Sequence, residues 1–207
     1  MIILLSPAKR LKEDNAVTSI AQSTPVFLEQ AAEVMAVLKR KSPKALQKLH
    51  QTSSELAEQN YQRNQNWSEA SHSNGIAAIQ MFDGEVYRGL AYDKWSESAS
   101  SFAQDHLRIL SGLYGALRPF DRILPYRLEM GTSLAVARKK NLYAFWGDRI
   151  YRHMLEGQNA SWFLDLASKE YGQVIHSFIP KDKLHQVDFL EDKGDGKAPR
   201  AIQVYLK

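Results

Sequence analysis

One segment, residues 107–131, constrains the fold more than any other part of the sequence, because it is apolar and yet rich in glycine and proline. It reads LRILSGLYGALRPFDRILPYRLEMG. Its glycines and prolines fix backbone angles that a regular helix or strand does not tolerate. A segment with so many apolar residues is not typical of a flexible surface loop. We therefore expect an irregular structure that is held in place, which is where binding sites tend to lie.

Positive charge is concentrated in the same part of the chain. Between residues 108 and 152, nine Lys or Arg stand against three acids, a net charge of +6. The whole chain carries only +4, so the residues outside this window sum to −2. Localised positive charge of this kind attracts anionic partners such as nucleic acid.

Composition narrows the class of protein. With 207 residues, of which 44% are hydrophobic, residues 1–207 are expected to form one globular domain. The sequence contains no cysteine, which excludes disulfides, thiolate metal sites and a cysteine nucleophile. Its six histidines are scattered, and the usual signatures of phosphate-binding and dinucleotide-binding loops are missing. We expect neither a metal nor a cofactor.

The N-terminus begins with a five-residue apolar run that precedes positive charge, the reverse of a secretory signal. No stretch reaches the length of a membrane span. We therefore expect a cytoplasmic protein with no membrane partner.

The hydrophobic pattern mixes strands and helices. Residues 2–6 form a continuous apolar run, typical of a buried central strand. Residues 25–41 repeat apolar side chains at helical spacing, and Ser42 with Pro43, then Ser53, mark the starts of two more helices. The remaining predictions are helices at 101–111 and 141–155 and strands at 162–166, 187–190 and 201–206. The fold class is thus α/β, a single compact domain with a mixed central sheet surrounded by helices.

The pattern SGLYG at residues 111–115 is the most specific local feature. A helix that ends on Gly112, a tight turn and a second glycine, Gly115, resemble a helix-hairpin-helix element near residues 102–122. Backbone amides in such a hairpin bind a DNA phosphate, and Arg118 and Arg122 would add charge-assisted hydrogen bonds. The spacing departs from the usual motif, because two apolar residues separate the glycines. A glycine-capped helix followed by a buried turn is the equally good alternative.

Longer motifs make the chain resemble a known family. They are SPAK at 6–9, FDGEVYRGL at 82–90, LRILSGLYGALRPFD at 107–121, PYRLEMGT at 125–132, LYAFWGD at 142–148 and LASKEY at 166–171. Together they resemble the YaaA family of bacterial peroxide-stress proteins, over nearly the whole chain. Two features depart from the family pattern. Asp165 stands where an Asn is usual before LAS, and members continue for some tens of residues past the point where this sequence stops, so we expect that extension to be absent.

The resemblance implies a compact α/β domain with a basic cleft and a helix-hairpin-helix-like element. It implies binding of double-stranded or branched DNA, protection against hydrogen peroxide, a link to recombinational DNA repair and a lowering of free iron. On this hypothesis the protein binds DNA without chemistry of its own. The DNA-binding residues would be Lys9, Arg10, Gly112, Gly115, Arg118, Arg122 and Arg127.

A second hypothesis is an enzyme that acts on a small anionic or nucleotide-like substrate, because acids accompany the basic residues and acids repel DNA. Its pocket would contain Lys9, Arg127, Glu129, Asp148 and Glu170, with Arg118 and Asp121 nearby. Alternatively, those acids only orient the arginines as ion pairs. An iron-binding protein with Asp and Glu ligands is a third and weaker hypothesis.

The sequence also predicts which two segments of the chain meet at this pocket. A buried first strand delivers Lys9 to the carboxyl edge of the sheet, where open α/β sheets bind ligands. Arg127 and Glu129, two residues apart, share a face if their segment is extended. We therefore predict that the residue 6–9 loop and the residue 125–130 segment lie at one pocket. The alternative for Lys9 is a solvated loop.

Overall fold

The computed structural model describes residues 1–13, 23–156 and 161–187, together with the backbone of 190–191 and 200–201. In this part of the chain there are nine α-helices: α1 Leu28–Lys39, α2 Pro43–His50, α3 Ser54–Asn66, α4 Ala78–Met81, α5 Glu85–Leu90, α6 Glu97–His106, α7 Leu142–Trp146, α8 Arg149–Leu155 and α9 Lys169–His176. The strands are β1 Ile2–Leu5, β2 Arg10–Leu11, β3 Ile76–Ala77, β4 Phe82–Asp83, β5 Leu107–Ser111, β6 Gly115–Leu117, β7 Arg122–Ile123, β8 Phe163–Asp165, β9 Leu184–Gln186, β10 Leu190–Glu191 and β11 Arg200–Ala201.

A mixed five-stranded sheet forms the centre of the domain. Its strand order is β6-β5-β1-β8-β9. β1 runs parallel to β5 and β8, β9 runs parallel to β8, and only β6 is antiparallel to its neighbour. Ile2 and Leu4 on one face of β1 and Leu5 on the other face are buried, as expected for a central strand covered on both faces. The α/β class and the mixed central sheet are confirmed.

The first three helices, α1 to α3, form where the sequence predicts them. α1 buries Ala31, Val34, Met35 and Leu38, the apolar stripe of its helical pattern. α2 begins with proline after Ser42, whose side chain accepts a hydrogen bond from the Ala45 amide, and Ser53 caps α3 in the same way. α2 packs against α3, and α3 packs against α1, where the Gln65 side chain donates a hydrogen bond to the Lys39 carbonyl at 3.0 Å.

The predicted helix-hairpin-helix is wrong. α6 ends at His106, and residues 107–111, predicted as its last part, form strand β5 instead. β5 turns back into β6, with Ser111 paired to Gly115, so the SGLYG pattern is a β-hairpin. All five residues of β5 are buried, which is the pattern of a strand covered on both faces. A continuous apolar run of this length does not distinguish such a strand from a buried helix.

Two glycines allow this hairpin to pack, and each does so for a different reason. Gly112 is not left-handed, but a Cβ there would lie 2.6 Å from the Leu128 carbonyl oxygen. Gly115 has φ +71°, and its Cβ would lie 2.8 Å from the Trp146 ring. A side chain at either position would therefore push the segment 128–129 or the α7 tryptophan away from the sheet.

Tyr114, at the tip of the hairpin, holds a buried polar network. Its hydroxyl accepts hydrogen bonds from the Trp67 indole at 2.9 Å and from the Leu124 amide at 3.2 Å. It also lies 3.0 Å from Nε2 of His72, while Nδ1 of that ring lies 2.8 Å from the Ser68 carbonyl. A carbonyl only accepts, so Nδ1 carries the hydrogen and the Tyr114 hydroxyl donates to Nε2. The network fixes the chain just before Pro125.

The predictions for residues 141–206 are confirmed in part. The helix expected at 141–155 is divided into α7 and α8 at Gly147, which has φ +52°. The strand expected at 162–166 is confirmed as β8. The strands predicted at 187–190 and 201–206 each share one residue with the short antiparallel pair of β10 and β11. Residue 187 is not part of a strand, and residues 188–189 and 202–206 lie outside the described residues. Within those residues, no helix has both the length and the apolar character needed to cross a membrane.

Candidate functional site

A polar cleft of about 820 Å³ lies between the end of α1, helix α2, the loop after β1 and the segment that follows Tyr126. We call it the cleft. The lining side chains are mostly charged or hydroxylic. They belong to Lys9, Lys41, Ala45, Lys48, Leu49, His50, Gln51, Arg127, Glu129, Gly131, Thr132, Ser133 and Glu170.

Glu129 lies at the centre of the charged groups. Its Oε1 accepts a hydrogen bond from Nη2 of Arg127 at 3.0 Å and lies 3.7 Å from the Lys9 ammonium. Its Oε2 lies 3.8 Å from Nδ1 of His50. Groups from the loop after β1, from α2 and from the residue 125–130 segment therefore converge on one carboxylate.

These neighbours keep Glu129 ionised. Burial by itself would raise the pKa of Glu129, but the attraction of His50, Arg127 and Lys9 outweighs burial and lowers that pKa to about 2. The His50 side chain is fully buried, and neither of its ring nitrogens has a hydrogen-bond partner among the residues that the structure describes. The 3.8 Å between Nδ1 of His50 and Oε2 of Glu129 is too long for a hydrogen bond.

The cleft is positive overall. The four cations Lys9, Lys41, Lys48 and Arg127 stand against the carboxylates of Glu129 and Glu170, which gives 4 − 2 = +2 with His50 neutral. Glu170 accepts a hydrogen bond from the Gly131 amide at 2.8 Å, so its carboxylate also fixes the backbone at the cleft edge. The Lys9 side chain is about half exposed, at 52%, and its ammonium has donors to spare beyond the contact with Glu129.

The structure confirms the predicted meeting of the residue 6–9 loop with the residue 125–130 segment. Lys9, Arg127, Glu129 and Glu170 line the same cleft although they are far apart in sequence. Asp148, predicted for the same pocket, instead pairs with Arg152 on α8 at 3.1 Å and does not line the cleft. What these side chains do remains a prediction.

The other predicted DNA-binding residues lie away from the cleft. Arg10 pairs with Asp83 at 2.8 Å, and Nη1 of Arg122 donates to the Ser73 carbonyl at 2.8 Å. Arg118 is partly buried, and its amide donates to the Asp121 carboxylate at 2.8 Å. Gly112 and Gly115 are buried within the β-hairpin, so the structure does not present their amides at the surface.

Sequence reasoning missed Lys41, Lys48 and His50. Lys41 ends the basic run 39–41, which in sequence is typical of the last turn of a helix. Lys48 and His50 lie on α2, for which the sequence predicts a helix and no part in the site. No local signal separates them from solvated surface residues, because they reach the cleft only when α2 packs beside the segment 127–133.

A smaller cavity of about 250 Å³ lies beside the cleft, and we call it the side cavity. It lies at the carboxyl ends of β1 and β8. Its lining consists of Leu5, Ser6, Pro7, Ala8, Lys9, Arg10, Asp83, Gly84, Glu85, Val86, Tyr87, Leu166 and Ser168. Lys9 lines both cavities.

The family model described as peroxide stress protein YaaA matches residues 1–207. The chain belongs to the YaaA family. It is 42% identical over 198 residues to a UPF0246 protein of Bordetella avium, an alignment that covers 94% of this chain and 77% of the relative. A UPF0246 protein of Polynucleobacter necessarius is 41% identical over 213 residues, covering 100% of this chain and 81% of the relative. The name of the YaaA family is consistent with a role in the stress response.

A lowering of free iron was among the properties implied by the resemblance to the YaaA family. Among the residues that the structure describes, no three His, Asp or Glu side chains lie together in a way that could hold a metal ion. We assign no iron site.

Proposed function

We propose that this protein binds DNA in the cleft, without sequence preference, as its part in the peroxide-stress response. The observation that carries the proposal is the cleft itself, which is about 820 Å³ in volume and has a net charge of +2. Lysine, arginine and hydroxyl side chains are the groups that contact phosphates, and such contacts fix the position of DNA without reading its sequence.

The two carboxylates in the cleft are compatible with an anionic ligand, because each already has cationic or amide partners. Glu129 uses one oxygen for both Arg127 and Lys9, which places these two cations side by side. Glu170 accepts from the Gly131 amide. Lys41 and Lys48 have no ion-pair partner among the residues that the structure describes, so they remain available to phosphates.

The proposal places the main contacts on Lys9, Lys41, Lys48 and Arg127. Arg10, Arg118 and Arg122 would act as flanking contacts where a longer duplex or a branched DNA extends beyond the cleft. Protection or repair of DNA damaged by peroxide, with a lower level of free iron as a linked effect, would be the role served by such binding.

Salt dependence tests the proposal. Loss of one phosphate contact reduces the slope of log K against log salt by about one unit. We expect Lys41→Ala and Lys48→Ala each to flatten this slope for a short duplex and to weaken binding to unrelated sequences equally. Lys94→Ala is the matched control, because Lys94 is exposed and does not line the cleft. Unchanged slopes in both cleft variants would rule out the cleft as the DNA site.

A second candidate function is an enzyme that acts on a small anionic or nucleotide-like substrate. The observation in its favour is the buried His50, whose ring nitrogens have no hydrogen-bond partner in the described part of the chain, at a cleft where Lys9 and Arg127 would bind an anionic substrate. Glu129→Gln separates the two functions. On the DNA proposal, loss of a negative charge from the cleft strengthens binding, whereas on the enzyme proposal the same change abolishes turnover.

A further inference from the structure

The cleft and the side cavity are neighbours that differ in chemistry. A narrow space of about 20 Å³ lies between them and shares Arg127 and Glu129 with the cleft and Pro7 and Ala8 with the side cavity. Lys9 lines all three. A ligand whose charged group is bound by Lys9 can therefore extend in either direction.

The side cavity carries no excess charge of its own. Asp83 is held between Arg10 and Arg88, each at 2.8 Å, so this carboxylate is already paired. The apolar walls of the side cavity are formed by Leu5, Pro7, Ala8, Val86 and Leu166. A neutral, partly apolar space beside a cationic group fits a ligand that is flat and uncharged at one end and anionic at the other.

Two serines supply polar groups inside this space. The Ser6 hydroxyl donates to Ser168 Oγ at 3.2 Å and accepts from the Ser168 amide at 2.9 Å. The Ser168 hydroxyl hydrogen then has no acceptor within the described part of the chain. Ligand pockets combine apolar walls with a few such groups, which fix the orientation of the ligand.

We propose that the side cavity receives one unpaired base of the DNA whose phosphate is bound by Lys9 in the cleft. The inference rests on the proposed DNA binding and deepens it. Proteins that hold an extruded base enclose it between apolar side chains and hydrogen-bond its edge, and a base that is already unpaired enters at the lowest cost. DNA with unpaired bases is therefore the form that the protein would prefer.

Gly84 offers a way to close the side cavity. Its backbone is extended, with φ −164°, so any residue can adopt its conformation. A Cβ built there points at Ala8 and would lie 3.3 Å from the Ala8 Cβ. Gly84→Leu should fill the space between these walls. Val86→Phe fills it from α5 and serves as a second variant if the first does not fold, while Gly89→Ala is the control, since nothing lies within 4 Å of a Cβ there.

The experiment compares the affinities of three duplexes of equal length: one fully paired, one with a single bulged nucleotide, and one whose bulge is an abasic nucleotide. The abasic bulge keeps the backbone distortion and lacks the base. We expect the wild-type protein to bind the bulged base about tenfold more tightly than either other duplex, because a paired base must first be unstacked. Gly84→Leu and Val86→Phe should remove this preference and leave the affinity for paired duplex unchanged.

Each other outcome overturns the inference. Equal affinity of the wild-type protein for the bulged base and the abasic bulge would show that it recognises backbone shape alone. A preference that survives in both filled variants would place the base elsewhere. If a free deoxynucleoside monophosphate bound in the side cavity while all duplexes bound equally, the cavity would serve a small nucleotide. Failure of the cleft proposal is distinct, because Lys48→Ala would then leave binding of all three duplexes unchanged.

Discussion

Replacing Tyr114 by phenylalanine removes one oxygen atom from the centre of the buried network. Tyr114 is fully buried, and its hydroxyl is the acceptor for the Trp67 indole and the Leu124 amide and the donor to His72. The ring remains, so its packing against Tyr126 and Trp67 is kept. The substitution therefore isolates the hydrogen bonds from the apolar contacts.

The cost follows from the partners left behind. The Trp67 side chain is buried, and an unsatisfied buried donor costs about 1–3 kcal/mol. Leu124 is only partly buried, so water can replace some of the lost bond to its amide. We expect Tyr114→Phe to lower the free energy of unfolding by about 2–4 kcal/mol, a large share of the 5–15 kcal/mol that is usual for a domain.

Urea unfolding followed by tryptophan fluorescence measures this difference. Tyr61→Phe is the matched control, because the Tyr61 hydroxyl has no hydrogen-bond partner among residues 1–13, 23–156 and 161–187. Its effect should stay within about 0.5 kcal/mol. A loss of less than about 1 kcal/mol in Tyr114→Phe would show that the network does not hold the hairpin as described.

The remaining predictions concern packing, pH and charge. Gly112→Ala and Gly115→Ala should each lower the unfolding free energy by about 1–3 kcal/mol, because backbone or ring atoms already occupy the space that the added Cβ needs. Gly89→Ala is the control and should not lower it, since that Cβ meets nothing within 4 Å. Equal unfolding midpoints in all three variants would contradict this prediction. Burial lowers the pKa of His72 from its ordinary value, so the unfolded chain binds more protons than the folded one and the protein loses stability as the pH is lowered. From about pH 7.5 to about pH 5.5 the wild-type protein should therefore lose more unfolding free energy than His72→Gln. Parallel curves of unfolding free energy against pH would exclude a role for this ring. Glu129→Gln should bind duplex DNA more tightly at low salt in fluorescence anisotropy, and weaker binding would mean that the carboxylate is needed to orient Arg127.

Sequence pattern predicts the parts of this fold that depend on local chemistry. The caps at Ser42 and Ser53 and the apolar stripe of α1 are each set by residues within one or two helical turns. β1 is predicted because an apolar run followed at once by proline is too short for a helix. β5 was missed because its apolar run continues directly from α6, and only pairing with β1 shows that it is a strand.

The residues of the cleft also fall into those that the sequence predicts and those that it does not. Lys9, Arg127 and Glu129 could be predicted together, because one follows a buried strand and the other two alternate on an extended segment. Lys41, Lys48 and His50 reach the cleft through the packing of helices far away in sequence, which leaves no trace in the local pattern. Asp148 was misplaced because its partner Arg152 is one helical turn away, an arrangement that is as common on surfaces as in sites.

The central claim is that DNA lies in the cleft, and lysine footprinting tests it most directly. The protein is acetylated with and without a short duplex at low salt, and the modified lysines are measured by mass spectrometry. We predict that DNA protects Lys9, Lys41 and Lys48 while Lys94 and Lys181, which are exposed outside the cleft, react equally in both samples. Protection confined to Lys94 or Lys181, with the three cleft lysines reacting fully, would contradict the account.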